Sequence, residues 1–224
     1  MRYLICLLAL VCSLHAAAQN DETVYRLELG GGVGMGLNLT DVDGKIGLAA
    51  AAVARFPLNP RMAVKAQFSY SQIKGATDGI KNFYPIDPSQ PGSDRLHYEV
   101  SDGIYDLSAL YELHFLPYGY VCDYKGYSRI VPYLQMGFGL TYGPAGKAFS
   151  ANIPLGFGVK YKVAPRLNLG LDWLMHFSLS DKLDGLDAPL GIKSSGFRNK
   201  DHYSALTLTL TYDLNPRCPT CNRD

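Results

Sequence analysis

Tryptophan is almost absent from this chain: there is 1 in 224 residues, and only 18% of the residues are charged. Neither sign of charge is in excess, because Lys plus Arg is 21 and Asp plus Glu is 20. A general nucleic-acid binder needs a basic footprint, so that class is excluded. The chain also lacks a helix-length apolar run beyond residue 20. The longest uncharged, small-apolar stretch, Ile46 to Ala54, is mostly alanine. Disorder is excluded by a hydrophobic fraction of 47%. Glycine (23) and tyrosine (16) are abundant, which points to β structure. The length suits one domain, or two small ones.

The first 18 residues read as a secretory signal peptide. Met1-Arg2-Tyr3 is a short basic start, Leu4 to Leu14 is apolar, and Ala16-Ala17-Ala18 offers a small-residue cleavage site before Gln19. The apolar stretch is too short to span a membrane as a helix. Cys6 and Cys12 lack the small residues that precede a lipid-modified cysteine. Cleavage removes Arg2 and leaves 20 basic and 20 acidic side chains, a net charge of zero. Cys122, Cys218 and Cys221 remain, in a compartment where a disulfide persists. The expected divisions are a signal peptide over 1–18, a barrel over 19–216 and a short periplasmic tail over 217–224.

Strict period-two alternation recurs eight times. It is clearest over Ser204 to Leu214. Leu206, Leu208, Leu210 and Tyr212 fall on one parity, and Thr207, Thr209, Thr211 and Asp213 on the other. Successive side chains of a strand point to opposite faces, so this segment has one apolar and one polar side. The other strands are expected at about 25–38, 45–56, 62–73, 104–116, 130–142, 153–163 and 166–180. Their connectors include tight turns at Pro57-Leu58-Asn59-Pro60 and Ala164-Pro165, and long polar loops over 74–103 and 181–201. The 39–44 connector is shorter, and the 117–129 connector longer, than a strict short/long rule asks.

The parities identify the solvent. Bulky apolar residues share one face, while the other carries Gly, Ala, Ser, Thr and a few charges. A soluble barrel has the reverse, with its large apolar residues inside. The expected fold is therefore all-β, an eight-stranded antiparallel transmembrane β-barrel with the bulky face in lipid. Phe56, Phe115, Tyr161 and Tyr212 are expected to line one rim, and Tyr70, Tyr105, Tyr142 and Tyr203 the other. Eight strands leave an interior that side chains just fill, so no wide pore is expected. Arg26, Lys65 and Lys160 are expected to face Glu28, Asp106, Glu112 and Asp172 as an ion-pair network, with Lys160–Asp172 its leading pair.

Signs of chemistry are weak. The Gly30–Gly36 stretch has no dinucleotide-binding register, no following helix and no closing Lys-Ser/Thr. His97, His114, His176 and His202 have no metal-ligand spacing, so neither metal nor cofactor is expected. His176 and Ser178 share a strand face and are the one arrangement a barrel hydrolase could use. Cys218-Pro219-Thr220-Cys221 sits in a tail after the last strand rather than opening a helix, so a redox role is not expected. An even strand count brings both chain ends and the 117–129 connector to one side. A disulfide from Cys122 to Cys218 or Cys221 is then expected to staple the tail.

Several stretches resemble the PorG-type outer-membrane barrels of Bacteroidota, which are associated with the type IX secretion system. They are Pro132-Tyr133 with Gly137 and Gly139, the run Ile153 to Lys162, Pro165-Arg166, Asn168 to Trp173, Ser180-Asp181 with Leu183-Asp184, and Asp201-His202-Tyr203. The Cys-Pro tail is also similar. The likeness is good over about 104–218 and loose before that. It implies an eight-stranded outer-membrane barrel, no enzyme activity, and a periplasmic contact to a lipoprotein of the secretion ring. A ten-residue tail after Leu214 departs from barrels that end on an aromatic strand residue.

The first functional expectation is thus a structural or docking component of an envelope assembly, partnered by outer-membrane lipid and a periplasmic ring lipoprotein. The competitors are an OmpA/OmpX-like surface barrel binding ligands through its long loops, a barrel enzyme using His176/Ser178, and a soluble lipocalin-like carrier.

Overall fold

A computed structural model describes residues 25–40, 43–76, 99–120, 126–180, 182–185 and 200–216. The expected signal peptide and periplasmic tail, and with them Cys122, Cys218 and Cys221, lie outside the described residues. The strands are β1 (Tyr25–Leu39), β2 (Asp43–Lys45), β3 (Gly47–Asn59), β4 (Met62–Ala76), β5 (Glu99–His114), β6 (Ile130–Gly143), β7 (Ala148–Ala164), β8 (Leu167–Ser178) and β9 (His202–Pro216). Every pairing is antiparallel, and the sheet runs β3-β1-β9-β8-β7-β6-β5-β4. Pairing of β4 with both β3 and β5 closes the ring. Eight long strands thus make the barrel, and β2 is a short extension that prolongs the line of β3 along β4.

The eight alternating segments all form strands, but several are longer than their alternation shows. β5 begins at Glu99 rather than near residue 104, and β7 at Ala148 rather than near 153. In β5 the added residues, Glu99 to Gly103, carry no outward apolar set, because past the lipid boundary neither face needs to be apolar; in β7 the alternation continues, with Phe149 and Ala151 outward and Ser150 and Asn152 inward. One rim of the barrel carries both described ends, Tyr25 and Pro216, with the turns at 60–61 and 165–166 and the 115–129 connector. The opposite rim carries the 77–98 and 179–201 connectors and a tight turn at 144–147.

The two faces are inverted relative to a water-soluble protein. Leu48, Phe138 and Phe149 are 70%, 77% and 70% exposed on the outside, while Lys65 and Glu112 are 0% exposed inside. Phe56, Phe115, Tyr161 and Tyr212 stand outward near the rim of the chain ends. Tyr105 and Tyr142 do so near the other rim, with Tyr70 packed on Tyr105 at 5.4 Å between ring centroids. Tyr203 differs from its expected place: it is 2% exposed and points inward.

Candidate functional site

Small residues make room in the lumen for charged ones. Gly158 is the clearest case. A Cβ there would lie 2.6 Å from the Tyr133 ring, so the ring can pack inward only over a glycine. Around this space β1, β3, β4, β5, β7 and β8 each contribute one charged side chain to a buried cluster. Arg55 donates from Nε to Glu112 Oε2 at 2.7 Å and from a second guanidinium nitrogen to Glu28. Lys160 Nζ reaches across the lumen to Glu28 Oε2 at 2.8 Å. Lys65 Nζ lies 3.4 Å from Glu112 and 3.5 Å from Asp172. Asp172 also accepts hydrogen bonds from the Tyr133 hydroxyl and the Gln135 amide. A buried charge must be paired and hydrogen-bonded, and each of these six is.

Three placements depart from the expected network. Arg26 is exposed. Pairing of β1 with β9 runs through Tyr25↔Pro216 and Leu27↔Leu214, and between them Asn215 adopts a φ of 54°. Asparagine tolerates that left-handed conformation, and alternation breaks beside it, so Tyr25 and Glu28 are both buried. Arg55 is the cation actually present; alanines on both parities around it hide its direction in the sequence. Lys160 stands opposite Gly170 rather than beside Asp172, and so pairs with Glu28 instead. Asp106 belongs to a separate cluster, where it accepts from Thr141 at 3.0 Å and Tyr203 at 3.1 Å, and also from Ser108 and Asn152. Its nearest basic group is the His176 ring, at 3.7 Å.

Nucleophilic chemistry finds no support in this second cluster. The His176 ring stacks on Tyr203 at 4.4 Å and its Nδ1 faces Asn152 at 3.4 Å. Ser178 instead contacts the Ser150 hydroxyl at 3.1 Å and accepts from the Ser180 amide. The two side chains share a face, as expected, but each is turned to other partners. Among the described residues no group of three or more His, Cys, Asp or Glu side chains is placed to hold a metal ion.

Both mouths are covered by the chain itself. At the rim of the chain ends, Tyr118 folds inward from the 115–129 connector. Its ring lies 4.3 Å from Lys160 Nζ, and its hydroxyl donates to Asn168 at 2.7 Å. Lys162 and Asp213 pair at 2.7 Å on the same level. The cavity beneath, bounded also by His114 and Tyr127, holds about 50 Å³, room for water rather than an organic ligand. At the other rim Leu183 is 0% exposed and packs with Ile73, Val100, Ile104 and Tyr203. Its amide donates to Asp201 at 2.6 Å, which ties this cork to the start of β9. Neither covering role was legible in the sequence, where 117–129 read as an over-long connector and 181–201 as a long polar loop.

One solved structure and a family model agree with this architecture. The crystal structure of Neisserial surface protein A superposes with a TM-score of 0.52 at 14% identity, covering 84% of this chain and 97% of its own; that likeness is one of fold. The attachment invasion locus protein of Yersinia pestis, solved with the heparin analogue sucrose octasulfate, gives a TM-score of 0.43 at 11% identity, over 84% of this chain and 97% of its own. No curated protein matches the sequence. Residues 4–213 match the model of the outer membrane protein beta-barrel domain, so the chain, with its lipid-facing apolar belt and packed polar lumen, belongs to that family.

Proposed function

We propose that this barrel is a non-enzymatic anchor and docking component of an envelope assembly, that of type IX protein secretion. The observation that carries the reading is closure. A lumen filled by ion pairs and covered by Tyr118 at one end and Leu183 at the other has no path for a solute. Such a protein acts through the surfaces it presents. In barrels of this kind the short turns and both termini face the periplasm. There the 115–129 connector is longer than a turn needs to be. It is held by backbone bonds between Gly119 and Ser128 and between Ser128 and Pro117, and by Arg129 donating to the Tyr120 carbonyl at 2.8 Å. The described flanks of this connector, 115–120 and 126–129, lie on the rim where β9 ends at Pro216 and offer a surface for a ring lipoprotein. A disulfide from Cys122 to Cys218 or Cys221 would join the connector to the tail.

Fold alone does not assign this role, so the test is a crosslinking pull-down from intact envelopes, with a tag in an extracellular loop. Recovery of a periplasmic ring lipoprotein supports docking. Recovery of the barrel alone, still in the outer membrane, refutes it and favours an OmpA/OmpX-like barrel that binds ligands through its long loops. Deletion of 217–224 is expected to abolish secretion while leaving barrel insertion normal.

A further inference from the structure

A register shift on the outer wall places two lysines where a lipid headgroup would lie. β2 and β3 pair successively with β4, but four residues separate Lys45 from Ala49 while three separate their partners Lys74 and Ser71. The extra residue is Ile46, a β-bulge. Unbroken alternation from Ala49 and Gly47, both buried, would turn Lys45 into the lumen. The bulge re-aims it outward, directly opposite Lys74. Lys74 itself alternates with Ile73 and Gly75, which are buried, so it too stands on the outer wall. Like charges directly opposite on a sheet are destabilising. Among the described residues neither lysine has a carboxylate partner.

Their height along the barrel identifies the partner. Ile46 and Leu48, 66% and 70% exposed, mark the top of the apolar belt beside Lys45. Lys74 stands four residues beyond Tyr70, which pairs with Tyr105 of the aromatic girdle; that is roughly 10 Å along the membrane normal for a tilted strand. This is the long-loop side, the outer leaflet. Six to eight residues further down β4, beyond Tyr70 and roughly 15–20 Å lower along the normal, Ala52, Ala54 and Ala66 thin the wall and with Leu29 and Phe68 shape a trough of about 360 Å³. Ser101, opposite Lys74, adds an exposed hydroxyl. Glu99 lies on the same wall two pairs further toward the loops, opposite Ala76.

We propose that Lys45 and Lys74 clamp a phosphate group of an outer-leaflet glycolipid, with an acyl chain descending over the alanine-lined wall. The clamp rests on the outer-membrane placement and is independent of the secretion role. Two ammonium groups relieve their mutual repulsion on one phosphate, and their methylene stems lie along apolar surface.

The test is native mass spectrometry of the full mature chain refolded in nanodiscs, offered diphosphoryl lipid A or the same lipid stripped of phosphate. Wild type is expected to retain the phosphorylated lipid. The Lys45→Gln/Lys74→Gln variant should bind it at least about tenfold more weakly, as expected for losing two surface lysines. Lys45→Arg/Lys74→Arg should retain it, and Lys147→Gln, in the β6–β7 turn on the same rim but beyond β5, should be unaffected. Folding of each variant is checked by heat-modifiable gel mobility; the single Lys45→Gln, expected to lose about threefold, serves if the double variant misfolds. Undiminished retention by the glutamine variants, or equal retention of phosphate-free lipid by wild type, overturns the proposal.

Discussion

Arg55→Met removes the one guanidinium that bridges two buried carboxylates, Glu28 and Glu112. Each acid keeps a lysine, Lys160 at 2.8 Å for Glu28 and Lys65 at 3.4 Å for Glu112, so neither is stripped of all compensation. Breaking a buried pair by deleting one partner costs about 3–5 kcal/mol, because the remaining charge stays desolvated. With a urea dependence of about 1–3 kcal/mol per molar, the unfolding midpoint in lipid vesicles should fall by about 1–5 M. The single tryptophan supplies the signal. Trp173 is 37% exposed on the lipid-facing wall against Phe157, and its emission changes when it leaves the bilayer. Two controls sharpen the test. Arg26→Met, at an exposed site, should shift stability by no more than about 0.5 kcal/mol. The double change Arg55→Met, Glu112→Gln should recover part of the loss, since it leaves Glu28 with Lys160 and Lys65 with Asp172 and no unpaired charge. An Arg55→Met shift no larger than that of Arg26→Met would refute the buried network as a stabilising element.

Four further outcomes can be checked on the same preparation. Tyr203→Phe deletes the hydroxyl that meets Asp106 and Thr141 and should cost about 1–2 kcal/mol in the same titration. Gly158→Ala forces a methyl group against Tyr133 and should cost about 1–3 kcal/mol, read as a lower temperature of gel-shift unfolding. Wild-type barrel in planar bilayers should show no stable conductance, and Leu183→Ala should stay silent because the ion-pair layer lies beneath the cork; steady single-channel steps from either protein would contradict a closed lumen. Non-reducing peptide mapping should find Cys122 joined to Cys218 or Cys221, and a Cys122 that is always unpaired would remove the proposed staple.

Amino-acid order by itself determined the barrel. A strand crossing lipid must be apolar on one face, and the lumen of a narrow barrel must be small or polar, so the alternation of β9, Leu206 to Tyr212 against Thr207 to Asp213, reports both environments directly. It also placed Glu28, Lys65, Glu112, Lys160 and Asp172 inside. Only the tertiary structure decided which charges meet. Pairing across a lumen depends on register and shear, which bring Lys160 to Glu28 rather than to Asp172. Arg55 was hidden because alanine carries no parity signal. The bulge at Ile46 reversed a facing that alternation alone would assign, turning Lys45 outward, and alternation also breaks at Arg26, which lies between paired positions opposite the left-handed Asn215. Side-chain parity is a local property and survives in the sequence; register, bulges and trans-lumen distances arise only when the sheet closes, because ring closure sets every strand's height against all the others.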